Sequence, residues 1–284
     1  MGRVGFIGLG NLGFAMAKRL KEKSVDLVVW NRTRAKAERL GVPVAFSPAE
    51  LISASDSVIV NVFDSAAVAD LLMQPDGLLR GSCAGKIIVD TTTNHPDRVS
   101  EFHTLLESKG AQYLEAPVLG SVGPASQGAL TMIVSGSSGA LDTVKPVVEI
   151  LCRLIFFVGK PGVATRLKLI NNFVLGSFMA TIAEAVAAGE KAGLERETIL
   201  GVLAAGAGNS TVLQGKKEKL LRGDFTPQFS SAAILKDLNY LEDLFSGITL
   251  SSESLSALRK VFQKAIAEGL GDDDFSAVIR LFQA

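Results

Sequence analysis

The feature that most constrains this chain is Gly8-Leu9-Gly10-Asn11-Leu12-Gly13, a GxGxxG run between the apolar tetrad Val4–Ile7 and a helical pattern from Leu12 to Lys21. Gly8 permits a tight turn, Gly10 lets backbone approach a pyrophosphate, and Gly13 lets the helix pack closely on the strand. The helix N-terminus adds N–H donors and partial positive charge where phosphates would lie. With 28 glycines in 284 residues a lone match is weak, and a purely structural turn is the competing reading. The strand–loop–helix context gives the run its meaning.

Downstream, apolar runs alternate with helical patterns. Leu27–Trp30, Val42–Phe46, Ser57–Val62, Lys86–Asp90, Gln112–Ala116, Leu130–Ser135 and Leu154–Val158 read as strands; Arg34–Leu40 and Pro48–Ser53 read as helices. Continuous apolar strands suit a parallel sheet covered on both faces by right-handed βαβ crossovers, with the later strands making the sheet mixed. After Gly159-Lys160-Pro161-Gly162 the pattern turns helical throughout. Ala164–Gly193 reads as one helix of roughly 40 Å. It is followed by helices over Arg196–Ala205, Ser210–Leu221, Ala232–Phe245, Ser252–Glu268 and Phe275–Phe282. The expected fold is α/β: a Rossmann-type doubly wound sheet domain over 1–162, then an all-α domain over 163–284 entered through the long helix.

Composition narrows the classes. Lys plus Arg number 29 and Asp plus Glu 29, a formal charge of zero with no basic stripe for nucleic acid. Cys83 and Cys152 have no CxxC spacing, and His95 and His103 are distant, so no metal site is expected. His95 and His103 are read as solvent-exposed or helix-capping. No leader is evident and apolar stretches look interrupted short of a membrane span, so a cytoplasmic protein without membrane association is expected. Neutral charge and apolar helices in the second half point to a homodimer or homotetramer.

The second strand ends in Asn31-Arg32-Thr33, with Arg34 close behind. Selectivity for NAD usually places an acid here for the ribose 2′-hydroxyl. Its absence, with a guanidinium able to grip a 2′-phosphate, favours NADP(H). A solvated arginine at a strand end is the plainer alternative.

On the long helix, Lys168 is followed by Asn171 and Asn172, three and four residues on, which shares one helical face. A buried ammonium there must be compensated or have its pKa lowered, which suits proton transfer; a lysine snorkelling to water is the commoner case. Glu115–Ala125 follows a strand, and its N–H groups with the Ser121 hydroxyl could cradle a carboxylate, or form only a Gly/Pro loop. Thr91-Thr92-Thr93 could line a cleft or cap the next helix, and Lys236-Asp237 reads by default as a surface ion pair.

These residues give the chain its resemblance to the β-hydroxyacid dehydrogenase family, which includes 3-hydroxyisobutyrate and 6-phosphogluconate dehydrogenases. Four ordered motifs carry it over essentially the whole length: Gly8–Gly13, Glu115–Thr131, Lys168 with Asn171-Asn172, and Lys236-Asp237-Leu238. Within the family the chain looks closest to glyoxylate/succinic semialdehyde reductases, through Asn31-Arg32-Thr33, Gly120-Ser121 with Pro124-Ala125, and the ending Gly269–Ile279.

The resemblance implies an NADPH-dependent reductase of small aldehyde acids such as glyoxylate or succinic semialdehyde. Lys168 would be the general acid/base and Asn172 a substrate-orienting residue, with Gly120 and Ser121 holding the substrate carboxylate. Phe229 would line the substrate pocket, and Lys236 and Asp237 would close the cleft. Thr93 would sit near the nicotinamide, and Val62-Phe63-Asp64 beside the adenosine and its phosphates. Leu119 stands where the family usually has serine, which removes a hydroxyl and adds bulk. Retention of Lys168 counts against the imine reductases. Oxidation of 3-hydroxyisobutyrate or another β-hydroxyacid is the enzymatic alternative; a non-catalytic NADP-binding scaffold is the other.

Overall fold

The computed structural model describes residues 2–283 and divides into two compact units, Met1–Lys168 and Leu169–Ala284. In the first, short β-branched and apolar runs form strands; Val4–Ile7, Ser57–Val60 and Ile87–Asp90 are buried along their whole length, whereas Cys152–Gly159 is largely exposed. In chain order the elements are β1 (Val4–Ile7), α1 (Asn11–Glu22), β2 (Leu27–Trp30), α2 (Arg34–Glu38), α3 (Pro48–Ser53), β3 (Ser57–Val60) and α4 (Ser65–Met73). They continue with β4 (Ile87–Asp90), α5 (Pro96–Glu107), β5 (Gln112–Glu115), β6 (Val118–Leu119), α6 (Val122–Gln127), β7 (Leu130–Ser135), α7 (Ser138–Leu151) and β8 (Cys152–Gly159).

Strands β2, β1, β3, β4 and β5 run parallel in that order. β5 and β6, separated by Ala116-Pro117, pair antiparallel with successive parts of β7, and β8 pairs parallel with β7. The expected mixed sheet is present. Alternation within each strand builds two apolar layers. Phe6, Val29, Ile59, Val89 and Leu114 pack on one face with α1 and α7 residues such as Met16, Leu20 and Val148. Ile7, Val28, Val58, Ile88 and Tyr113 pack on the other with Leu51, Leu72 and Phe102.

The second unit is helical. The unit boundary falls inside α8 (Val163–Lys191), followed by α9 (Arg196–Ala205), α10 (Thr211–Arg222), α11 (Ser231–Gly247), α12 (Glu253–Ala267) and α13 (Arg280–Gln283). Ser210, Ser230 and Ser252 cap α10, α11 and α12 through their hydroxyls, the usual use of serine at a helix start. Met179, Ile182 and Val186 of α8 form one core with Leu238, Leu241, Leu258 and Phe262.

Several sequence expectations change. Val42–Phe46 is not a strand: only Val44 bridges to Val29, because Pro43 has no N–H to donate and Phe46 turns out to solvent, 80% exposed. The expected final helix begins as a 3-10 segment, Phe275–Ile279, where the buried Asp274 carboxylate accepts from the Ser276 N–H. His103 is buried rather than exposed, stacked edge-on against Tyr113 at 4.7 Å. His95 does cap α5, accepting from the Asp97 N–H. By length and composition α8 is apolar enough to cross a membrane, contrary to the interruption read from sequence, although Leu169, Met179, Ile182, Ala183 and Val186 of α8 belong to the helical core.

Candidate active site

Parallel order brings the loops after β1, β3, β4 and β5 to one edge of the sheet, the edge where open α/β sheets bind ligands. At the first loop Gly8 has φ +93°, and a Cβ there would lie 2.0 Å from the Asn61 carbonyl oxygen. A Cβ on Gly13 would lie 2.0 Å from the Gly8 oxygen, so α1 can start this close to β1 only with glycine. A Cβ on Gly10 would meet nothing within 4 Å: the chain leaves open space above this residue. Gly10 caps α1 with no side-chain hydrogen bond and no acidic residue in the first turn. An uncapped helix start beneath open backbone is a fit for a pyrophosphate.

Asn31 ties the second loop to the first. Its Oδ1 accepts from the Leu9 N–H at 2.8 Å, and its Nδ2 donates to the Thr33 oxygen at 2.9 Å. The two arginines behind it differ. Arg34 is engaged with Glu38 at 2.9 Å and lies over the Phe46 ring. Arg32 is exposed and makes no hydrogen bond or ion pair among the described residues.

The ends of β3 and β4 are locked together by Thr91 and Thr92 of the expected triplet with two residues that sequence reasoning did not single out, Asn61 and Asp90. Asn61 donates to the Thr91 hydroxyl at 2.9 Å, and the Val62 N–H donates to Thr92 Oγ1 at 3.1 Å. Asp90, 1% exposed, accepts from the Thr92 N–H, Asn94 Nδ2 and the Tyr113 hydroxyl. Burial pushes the Asp90 carboxyl above the usual carboxylate range against the pull of these hydrogen bonds, and pushes the Tyr113 phenol well up. His95, not a threonine, caps α5, and the Thr91-Thr92 pair joins the strand ends. Thr93 lies half-buried beside it, and Phe63 is 54% exposed on the neighbouring loop.

After β5, Val118-Leu119 forms β6 against Thr131 and Met132, and Gly120 turns the chain with φ +117°. Ser121 then occupies the N-cap of α6, and Leu119 is half-buried. Lys168 is 9% exposed and does not snorkel: its Nζ donates to the Val118 oxygen at 2.8 Å, three residues before Ser121.

In the helical unit, one turn beyond Lys168 along α8, Asn172 is 1% exposed and donates to Asp237 Oδ2 at 2.6 Å. Asn171 donates to the Asn172 oxygen at 3.2 Å. The Lys236–Asp237 pair is no surface ion pair. Asp237 is 1% exposed, and Lys236 Nζ lies 2.8 Å from its Oδ1 in a bent contact outside hydrogen-bond geometry, and over the Tyr240 ring. Phe229 packs edge-on against Phe275 at 5.7 Å. Its backbone N–H, with that of Gln228, points at Asp274 Oδ2, which also receives Lys216 Nζ at 2.8 Å. Among the described residues no group of three or more His, Cys, Asp or Glu side chains could hold a metal ion.

This arrangement has relatives. The NAD binding domain of 6-phosphogluconate dehydrogenase matches residues 3–159, and the NAD-binding domain of NADP-dependent 3-hydroxyisobutyrate dehydrogenase matches residues 162–282. The chain belongs to the β-hydroxyacid dehydrogenase family. Members of this family are NAD(P)-dependent oxidoreductases. Glyoxylate/succinic semialdehyde reductase 1 of Arabidopsis thaliana is 32% identical over 279 residues, 97% of this chain and 96% of that protein. Cytokine-like nuclear factor N-PAC of Mus musculus is 34% identical over 280 residues, 99% of this chain. The chain spans about half the length of the N-PAC relatives, 51% of the mouse protein. The solved structure of Psf3 in complex with NADP+ and 2-OPP superposes with a TM-score of 0.91 at 28% identity, covering 98% of this chain and 99% of that one. The β-hydroxyacid dehydrogenase assignment thus covers both units, and the Rossmann-type sheet followed by a helical domain is the family's fold.

Proposed function

We propose that this β-hydroxyacid dehydrogenase reduces a small aldehyde acid, glyoxylate or succinic semialdehyde, to the hydroxyacid with NADPH. The observation that carries the reading is Lys168, an ammonium buried to 9% exposure on a family scaffold, with Nζ held at the Val118 oxygen next to Gly120 and Ser121. NADP(H) is favoured by the exposed Arg32 and the absence of an acid at 31–33, and accords with the NADP-dependent family matched by the second half. Gly8, Leu9, Gly10, Asn11, Leu12 and Gly13 would hold its pyrophosphate, Asn31, Arg32 and Thr33 its ribose phosphate, and Val62, Phe63, Thr93 and Lys236 its flanks. Bound NADPH supplies the hydride to the carbonyl carbon. Lys168 donates a proton to the oxygen on which negative charge develops and stabilises that charge. Gly120 and Ser121 bind the substrate carboxylate, Asn172 and Asp237 orient the substrate and Phe229 bounds its apolar part. The sheet domain (1–162) serves the cofactor and the helical domain (163–284) serves substrate contact and self-association. Leu167, Ile170, Val174 and Phe178, exposed at helical spacing on α8, support a homodimer or homotetramer.

The second reading, oxidation of 3-hydroxyisobutyrate or a related β-hydroxyacid, is favoured by the family matched over residues 162–282. A panel of glyoxylate, succinic semialdehyde and 3-hydroxyisobutyrate followed by NADPH absorbance, with NAD(H) in parallel, ranks the two; no turnover of any would leave the non-catalytic scaffold. Lys168→Ala should lower kcat at least ~100-fold with the KM for NADPH unchanged. Near-normal turnover would remove Lys168 from the chemistry.

A further inference from the structure

The start of α8 is held by a buried side chain from a strand 50 residues away. Glu115, 1% exposed at the end of β5, accepts from the Gly162 N–H at 2.7 Å through Oε2 and from the Thr165 N–H through Oε1. Ser135, fully buried, accepts from the Ala164 N–H at 3.0 Å. Glu115 and Ser135 are register partners across β5 and β7, so one position of the sheet supplies both acceptors. The first N–H groups of a helix have no partner within it, and a carboxylate there also meets the positive end of the helix dipole.

Three residues beyond each end of the Glu115–Thr165 tie comes a second one. Val118 follows Glu115 by three, Lys168 follows Thr165 by three, and Lys168 Nζ donates to the Val118 oxygen at 2.8 Å. The β5–β6 segment leading to Gly120-Ser121 and the first two turns of α8 are thereby joined at two points about one helical turn apart. Rotation of α8 about its axis would carry the ammonium off the carbonyl, and the Glu115 and Ser135 acceptors oppose that rotation. Burial raises the Glu115 carboxyl above its ordinary value, while the Thr165 and Gly162 N–H groups draw it back down. A carboxylate so costly to bury is better explained by a task than by stability alone.

We propose that Glu115, seconded by Ser135, is a positioning residue that sets the angular placement of α8 and so holds the Lys168 ammonium at the substrate loop. The inference rests on the reading of Lys168 as proton donor. Its test uses the whole chain and two readouts: steady-state kinetics with the best substrate of the panel, and the rate at which formaldehyde and borohydride methylate Lys168, followed by peptide mass spectrometry without substrate. Glu115→Gln keeps the shape but presents one oxygen to two N–H groups. It should lower kcat at least tenfold, leave the KM for NADPH within twofold and speed Lys168 methylation at least threefold. Ser135→Ala, which removes a single acceptor, should move kcat and methylation the same way by about threefold, and decides the matter if Glu115→Gln does not fold. Wild-type kcat and methylation in these variants would overturn the proposal. So would equal losses in kcat, NADPH affinity and melting temperature, which mark a merely structural role. The Lys168→Ala enzyme separates the two ideas: turnover retained there defeats the proton-donor reading, whereas turnover lost there but kept in both positioning variants defeats this inference alone.

Discussion

Asn172 donates through Nδ2 to Asp237 Oδ2 across 2.6 Å, with both side chains 1% exposed. The bond joins two helices 65 residues apart in sequence, and Lys236 Nζ approaches the other oxygen of the same carboxylate. Asp237→Ala leaves a buried amide donor without its acceptor, at a cost of about 1–3 kcal/mol. Asp237→Asn keeps an oxygen for Asn172 and should cost less. Urea unfolding checks the order; equal losses would show that the hydrogen bond adds nothing.

The glycines of the first loop should separate folding from binding. Gly13→Ala drives a methyl group to 2.0 Å from the Gly8 oxygen, so α1 must shift off β1 and the melting temperature should fall. Gly10→Ala meets nothing within 4 Å and should melt with the wild type while binding NADPH at least ~10-fold more weakly, because its methyl occupies the approach to the pyrophosphate. Calorimetry of the two variants with and without NADPH distinguishes these effects. Unchanged cofactor affinity in Gly10→Ala would move the pyrophosphate elsewhere.

Arg32 and Arg34 should not be equivalent. Arg34 already pairs with Glu38, whereas Arg32 is exposed. Arg32→Ala should raise the KM for NADPH about tenfold or more, the size of a lost charge-assisted contact, with little change for NADH. Asn31→Asp keeps the Oδ1 acceptor for the Leu9 N–H yet adds charge that repels a 2′-phosphate, so it should shift preference toward NADH. A wild-type cofactor ratio in both variants would contradict this account of selectivity.

His103 gives the fold an acid-side weakness. Burial holds its imidazole below the ordinary value of 6.5, with the Glu107 charge opposing. As pH falls through 6.5 the unfolded chain takes up the proton first, so stability is full above that value and drains below it until the folded pKa is reached. The slope is at most about 1.4 kcal/mol per pH unit. His103→Gln should flatten the decline in melting temperature over the first pH unit below 6.5 relative to wild type. Parallel profiles would assign the decline to other groups.

Much of this was legible in residue order. Val4–Ile7, Leu27–Trp30 and Leu130–Ser135 are strands to the residue, since a buried parallel or mixed strand needs apolar side chains on both faces. Arg196–Ala205 is likewise the helix its period indicates. Val42–Phe46 was over-read because a β-rich composition says nothing about whether a partner strand lies alongside. His103 and Lys236-Asp237 were misplaced because polar residues carry no local mark of burial. Asp90 and Asn94 went unnoticed as parts of the site, and Glu115, read only as the start of the loop it leads, was given no role of its own, for the same reason.

The sequence by itself determined the glycine turn, the alternation that builds the sheet and the one-turn spacing of Lys168 and Asn172, because each depends on neighbours within a few residues. Only the tertiary structure decided what those side chains meet. Glu115 at Thr165, Lys168 at Val118 and Asn172 at Asp237 are contacts between residues 50 to 65 positions apart. They exist because packing of the sheet and the helices brings polar groups together out of water, where an unmatched donor or acceptor would be costly.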